Sequence, residues 1–475
     1  MIHENTKFTT FSKGMKRISS ILGPIVLGSA LVMVTVLALL ALPADETSAQ
    51  EPDEAYVIVQ FDDANLTGRH IEFTSPISGL KALELTGIEV TTLDLGWGIA
   101  VCSIGGVGCP EDDCFCDPNN FWNYSFWDGS AWQGYAVGAD SSVINDGAVD
   151  GWRWGPWGIS MPPAPPIIAA ADGLEWLRPF QSTEDGGYGS GGATAETLFA
   201  VAANGYEANE WRQPGAPSLS AYFLANGVSF SNSGVASSGK MAVALTAGNG
   251  CWPLNATEPA SYYHPASGAY SSTNPFDAGT GPHMWGMLGT AALSQTIPPL
   301  AANYLIGLQQ IDGAWEWDVG FGTDTNSTAL AIQSLIAAGE PAASSAIVDA
   351  LDYLDAAQND DGGFPYSPVS PWGTDSDTNS TALVVQSLLA TGESPTDARW
   401  AKVTSGITST NPISYLLGMQ LADGSFQWQK GVSADQQSST RQVIPALLDR
   451  PFPLSVSELD QCTTIRLPII FKNSP

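Results

Sequence analysis

Positive charge is scarce in this chain. It has 475 residues but only 17 Lys and Arg against 48 Asp and Glu, for a formal charge of −31. A surface this acidic repels phosphate backbones and anionic lipid, which excludes nucleic acid as a partner. Histidine is rarer still, at 4. None stands near the cysteines, so no metal site is read from the sequence. Apolar runs long enough to span a bilayer are also lacking, apart from residues 21–44. That run follows Lys7, Lys13, Lys16 and Arg17 and precedes the small residues Thr47 and Ala49. Residues 1–49 therefore read as a signal peptide cut after Ala49, or as an uncleaved signal anchor. Membrane contact is expected only through an uncleaved segment. Either way the rest of the chain is secreted or held at the cell surface.

Cysteines are few but even in number. Cys102, Cys109, Cys114 and Cys116 share one stretch, "CSIGGVGCPEDDCFC", while Cys251 and Cys462 stand alone. In an exported chain this pattern predicts two local disulfides and one long-range disulfide.

Two regions differ in period. Residues 51–160 alternate apolar and polar, and form a small β-rich α+β domain with a disulfide loop. "YVIVQF", "RHIEFT" and "GIEVTTLDL" read as strands. Between the last two, Ser78 caps a short helix that Gly87 stops. "FWNYSFWDGSAWQGYAVG" reads as a hairpin turning at Asp128-Gly129, and "SSVINDGAVDGWRWG" as a second strand pair. Residues 161–168 are a Pro-rich linker. Residues 169–450 are helical and repetitive, and 451–475 form an apolar tail.

Four units of the repeat begin "GLEWLRPFQSTEDGGYG", "AANYLIGLQQIDGAWEW", "ALDYLDAAQNDDGGFPY" and "PISYLLGMQLADGSFQW". Each holds a helix, then Gln181, Gln309, Gln358 or Gln420, then a Gly turn and an aromatic. A second, Ala- and Leu-rich helix follows, apolar on most faces and so buried on most faces. "DTNSTAL" opens two of these second helices, at 324–330 and 377–383. With two weaker units the count is six pairs, which can stack openly or close into a ring.

The helix–Gln–Asp-Gly–aromatic unit resembles the repeat of the terpenoid cyclases and protein prenyltransferases. The resemblance implies a mainly α fold, an α/α toroid of six helical hairpins, here preceded by the small β-rich domain. It does not bring the chemistry with it. The Asp-x-Asp-Asp acid of the class II cyclases has its nearest match at 375–378, where Thr378 replaces the last Asp. Asp377 is left as the one catalytic candidate. The Asp-x-Cys zinc pair of the prenyltransferases is missing. So is the Gln of the complement-type thioester beside Cys251. Whether the chain is an enzyme stays open.

"DTNSTALAIQSL" also resembles inner-helix segments of the transcobalamin and intrinsic factor family. The N-terminal region is similar to that family's small C-terminal β domain, in reversed order. This resemblance implies a small-molecule ligand, cobalamin or a related corrinoid, held between toroid and β domain. The candidate contacts are Asp324, Thr325, Asn326, Asp377, Thr378 and Asn379 at helix starts, Trp285 and His283 in the ring, and Trp132 and Tyr135 on the hairpin. Each has a plainer role: Asp and Thr as caps, the aromatics as packing, His283 as a core histidine. A non-catalytic binding protein, a cyclase-like enzyme and a surface scaffold are the three functions this sequence allows.

Overall fold

The computed structural model describes residues 52–63, 65–273, 279–371, 373–404, 408–432 and 434–462. The expected leader, residues 1–49, and the tail beyond Cys462 lie outside them. No helix of the described residues is long and apolar enough to cross a membrane.

Apolar alternation builds the first region as expected. Strands β1 (Asp53–Gln60) and β2 (Leu66–Phe73) pair antiparallel, with Val57, Val59 and Ile71 turned into a small core. Helix α1 (Gly79–Leu85) starts where Ser78 accepts from the Lys81 amide. Strands β3 (Val90–Asp94), β4 (Ile99–Ile104) and β5 (Val107–Gly108) form a separate small sheet. The hairpin of β6 (Phe121–Trp127) and β7 (Trp132–Gly134) turns at Asp128, whose carboxylate accepts from the Ser130 and Ala131 amides. β8 (Ala148–Gly155) completes a sheet in the order β2-β1-β8-β6-β7. The second strand pair expected at 141–155 is one strand only. Ile144 is buried and makes a single bridge to Ile77 instead.

All six cysteines pair: Cys102–Cys114, Cys109–Cys116 and Cys251–Cys462. One of the two local pairs ties the acidic loop to β4, and the other ties it to the end of β5. The third joins residues 211 apart and fixes the end of the described chain to the ring.

The linker is shorter than expected. Helix α2 (Ala164–Leu177) begins inside it, because prolines tolerate the first turn, where an amide has no partner anyway. α2 packs on β2 and on the last inner helix, Gln436–Leu447, and the first inner helix, α3 (Gly191–Ala203), follows it. α4 (Leu219–Ser231) and α5 (Val235–Ala247) follow. The third inner helix, α6 (Thr280–Ala292), is preceded by a 3₁₀ turn, Pro259–Tyr262, rather than a full outer helix. Then come α7 (Pro299–Gly307) with α8 (Thr325–Ala337), and α9 (Ser345–Ala357) with α10 (Thr378–Thr391). α11 (Pro412–Leu417) and α12 (Gln436–Leu447) end the ring. Inner helices contact in the cycle α3-α5-α6-α8-α10-α12 and back to α3. The toroid is closed.

The repeated glutamines do the stitching. Gln309 Nε2 donates to Gly313 O at 2.7 Å in its own turn and to Ala346 O at 2.8 Å in the next outer helix. Gln181 and Gln358 bond in the same way within their own turns, and reach Trp211 O and Trp400 O ahead of the next outer helix. Gln420 donates to Ala169 O at 2.9 Å, across 251 residues, and so joins the last unit to the first. Gly313 must be glycine. Its φ is 85°, and a Cβ there would meet Asp349 O at 2.4 Å.

The β domain docks on one face of the ring. Thr67 Oγ1 donates to Asn204 O at 2.6 Å, and Asn204 Oδ1 accepts from the Gly68 amide at 2.8 Å. Arg69 lies 3.5 Å above the Tyr206 ring. Asn204 is the C-cap of α3. The β domain therefore sits at the C-terminal ends of the inner helices.

Candidate functional site

Both copies of "DTNSTAL" are architectural, residue by residue. Asp324 accepts from the Ser327 amide and the Ser327 hydroxyl, both at 2.7 Å, and caps α8. Asp377 treats Ser380 the same way at 2.8 and 2.7 Å. Thr325 Oγ1 donates to Pro365 O, and Thr378 Oγ1 to Gln427 O, each reaching the turn of the next unit. Thr328 and Thr381 accept the amides of Trp315 and Phe364, the aromatics of their own turns. Burial pushes both capping acids up to about 6, against the lowering effect of their serine donors.

His283 belongs to the same pattern. Its Nδ1 accepts the Tyr270 amide at 2.9 Å, as Thr328 does for Trp315, while Nε2 faces Ala301 O at 3.1 Å. Burial pulls it down to about 4, so it is neutral, and both ring nitrogens are committed. The structure gives His283 no free nitrogen for a corrinoid metal.

Below these caps the ring holds a blind cavity of about 260 Å³. One layer of its wall comes from the sixth residue of every inner helix: Glu196, Lys240, Trp285, Leu330, Leu383 and Arg441. Sharing a level means that all six helices start on one face. The mouth lies at that face, bordered by Asp324, Asn326, Tyr366 and Trp317. The floor is Phe452, from the segment after α12. Its amide donates to Gln333 Oε1 at 2.8 Å, and the neighbouring Arg450 O accepts from Gln386 Nε2 at 2.7 Å.

The layer has two unlike halves. α6, α8 and α10 contribute Trp285, Leu330 and Leu383. The adjacent helices α12, α3 and α5 contribute Arg441, Glu196 and Lys240. Glu196 Oε1 accepts from Lys240 Nζ at 2.6 Å, and its Oε2 from Arg441 Nε at 3.1 Å and Gln442 Nε2 at 3.3 Å. Burial alone would push Glu196 up; the two cations outweigh it and pull it to about 2. Phe199 stacks on Trp285 at 5.9 Å, and Phe452 meets both edge-on at 5.2 Å.

Of the ten ligand contacts named from the sequence, Asp324, Asn326 and Trp285 line this cavity. Asn379 stands behind it, holding Gln442 Oε1 at 2.7 Å. Thr325, Asp377, Thr378 and His283 are buried in the repeat's own contacts. Trp132 donates to Pro162 O and faces Trp127 across the hairpin, and Tyr135 donates to Asp150 Oδ1 at 2.6 Å. The structure does not bring these two to the ring mouth, because the β domain occupies the other face. Between domain and ring lies a groove of about 820 Å³, lined by Gln60, Asp63, Pro163, Leu389 and Leu448, with Phe452 as its wall towards the bore. No group of three or more His, Cys, Asp or Glu among the described residues could hold a metal ion.

The sequence reading missed Glu196, Lys240 and Arg441. A signal was there. The six inner helices contain three charged residues, and these are the three.

No protein-family model matches the chain, and neither does any curated protein. Solved structures similar to it include the type II terpene cyclase MstE from Scytonema, at 14% identity over 60% of this chain and 97% of that one, with a TM-score of 0.44. Another is the unsaturated glucuronyl hydrolase of a Bacillus species, at 14% identity over 59% and 94% of the chains, TM-score 0.40. A third is the ent-copalyl diphosphate synthase of Streptomyces platensis, at 18% identity over 54% and 50%, TM-score 0.35. Likeness of that order says nothing about what this chain binds or converts; the toroid itself rests on its closed helix cycle.

Proposed function

We propose that this is an extracytoplasmic binding protein that takes a small organic molecule into the bore of its ring. The observation that carries the proposal is the blind cavity with one polar and one apolar half. Its volume of about 260 Å³ is just below the roughly 300–1,000 Å³ of ordinary ligand pockets, which suits a compact ligand, and aromatic walls with a few fixed polar groups are what such pockets have. Three disulfides suit an oxidising compartment.

Cyclisation of a terpene fits the bore less well. That chemistry builds positive charge on the substrate, and a catalytic site stabilises the charge that develops. Here Lys240 and Arg441 outnumber Glu196, so the polar half works against a cation. Asp324, the acid at the mouth, is pushed up to about 6 by burial, but both of its oxygens are already committed to Ser327 as a helix cap.

A corrinoid is the second reading, and the groove between β domain and ring favours it by size alone. The bore is too small for a macrocycle, and His283 cannot serve as an axial ligand. No histidine lines the groove.

One panel separates these readings. The secreted chain is probed by ligand-observed NMR with small aromatic and alicyclic acids, their amides, cobinamide and squalene. Binding of the small compounds, with broadening of the Trp285 indole signal, is expected. Absence of any small binder would sink the proposal. A cobinamide spectral shift would move the function to the groove. Cyclic product from squalene, lost in Asp324→Asn, would make the chain an enzyme.

A further inference from the structure

We infer that the ligand of the bore is a compact organic monocarboxylate, whose carboxylate docks on Arg441 and Lys240. The inference rests on the bore being the binding site, and it adds the chemical class.

It starts from a surplus. Burying one carboxylate calls for one cation, and around Glu196 this cavity supplies two, while its other acid, Asp324, stands apart at the mouth. Glu196 is saturated, with Lys240 on one oxygen and Arg441 and Gln442 on the other. Arg441 spends only its Nε on Glu196, and its two Nη groups have no partner among the described residues. Lys240 has one acceptor, Glu196 Oε1, for its three N–H bonds. A guanidinium edge left open in a cavity matches a carboxylate, which takes two parallel hydrogen bonds from it. The chain has 17 Lys and Arg in all, so two of them lining this bore is not surface decoration.

The rest of the wall describes the ligand's body. Opposite the cations stand Leu330 and Leu383, with Trp285 between the halves and Lys240 Nζ 5.1 Å from its ring centre. Phe199 and Phe452 close the apolar side. A flat ring carrying one carboxylate fills both halves. A second anionic group at the mouth would meet Asp324, which restricts the class to monoanions.

The probes are matched pairs: benzoate and benzamide, and cyclohexanecarboxylate and its amide, titrated calorimetrically into the full secreted chain. The acid of each pair is expected to bind at least tenfold more tightly than its amide. Arg441→Gln should erase that ratio while amide binding persists, and Lys240→Met should reduce it; a single cooperative melting transition well above the assay temperature shows that each variant folds. Equal binding of acid and amide to the native chain overturns the carboxylate assignment and leaves the bore as a site. A ratio that survives in both variants overturns it as well. If neither member of any pair binds, the carboxylate assignment and the bore reading fall together.

Discussion

Glu196→Leu is expected to destabilise the protein by about 3 kcal/mol, the lower end of what removing one partner of a buried charge cluster costs. The carboxylate is the only anion bonded to Lys240 and Arg441 among the described residues, and the three side chains are 13–22% exposed. Without it two cations on either side of α3 share the bore, with its mouth open to water. That access is why the lower end applies. Urea unfolding of the variant against the native chain measures the loss, and a change below about 0.5 kcal/mol would show that the cluster is solvated and indifferent. The companion variant replaces all three by apolar residues, Glu196→Leu with Lys240→Met and Arg441→Met. Apolar replacement of a whole buried cluster is often neutral or stabilising. The triple variant should recover the lost stability. Recovery would mean that the charges serve the ligand and not the fold.

Stability should rise by about 3 kcal/mol as pH falls from about 7.5 to about 5. Three buried carboxyls, Asp150, Asp324 and Asp377, are each pushed up to about 6 by burial. An unfolded Asp titrates near about 3.9. Since the folded value is the higher one, the fold prefers the protonated form. The stability each contributes is complete below about 3.9 and is lost as pH rises through about 6. Each pH unit between the folded and unfolded values is worth about 1.4 kcal/mol, and only part of that gap has been crossed by about pH 5, so each carboxyl gives roughly 1 kcal/mol. Glu196 has the opposite sign: pulled to about 2, it stabilises above about 4.3 and loses that only as pH drops through about 2. On these four groups stability therefore keeps rising to about pH 4, below which Glu196 begins to take it back. Calorimetric melting across that range tests this. A melting temperature that is flat or falls on acidification contradicts it. Asp324→Asn and Asp377→Asn should each flatten the slope, at some cost from losing a charged cap.

What was legible in the sequence was local. Asp followed by Ser three residues on is a cap wherever a helix begins, so the role of "DTNSTAL" could be read without the fold. The recurring Gln could be seen, but not its purpose, because each joins its turn to the next unit. His283 looked like a lone ligand because its counterpart in other units is threonine. The equivalence appears only when Tyr270 is seen donating to it. The charged cluster was hidden by distance: Glu196 and Arg441 are 245 residues apart and meet because the ring closes. Each reads alone as a stray charge in an alanine-rich helix. Which face the β domain covers had no sequence signal, since it depends on how Thr67, Gly68 and Arg69 match the end of α3.

Leu330→Trp puts an indole into the bore from α8, opposite the cations and away from every cap, turn and disulfide. Titration of benzoate into this variant and the native chain tests most directly whether the bore is the binding site. Binding to the native chain that is lost in Leu330→Trp, with melting temperature unchanged or raised, is the predicted result. Equal benzoate affinity in the two proteins would contradict it and place the ligand elsewhere on the molecule.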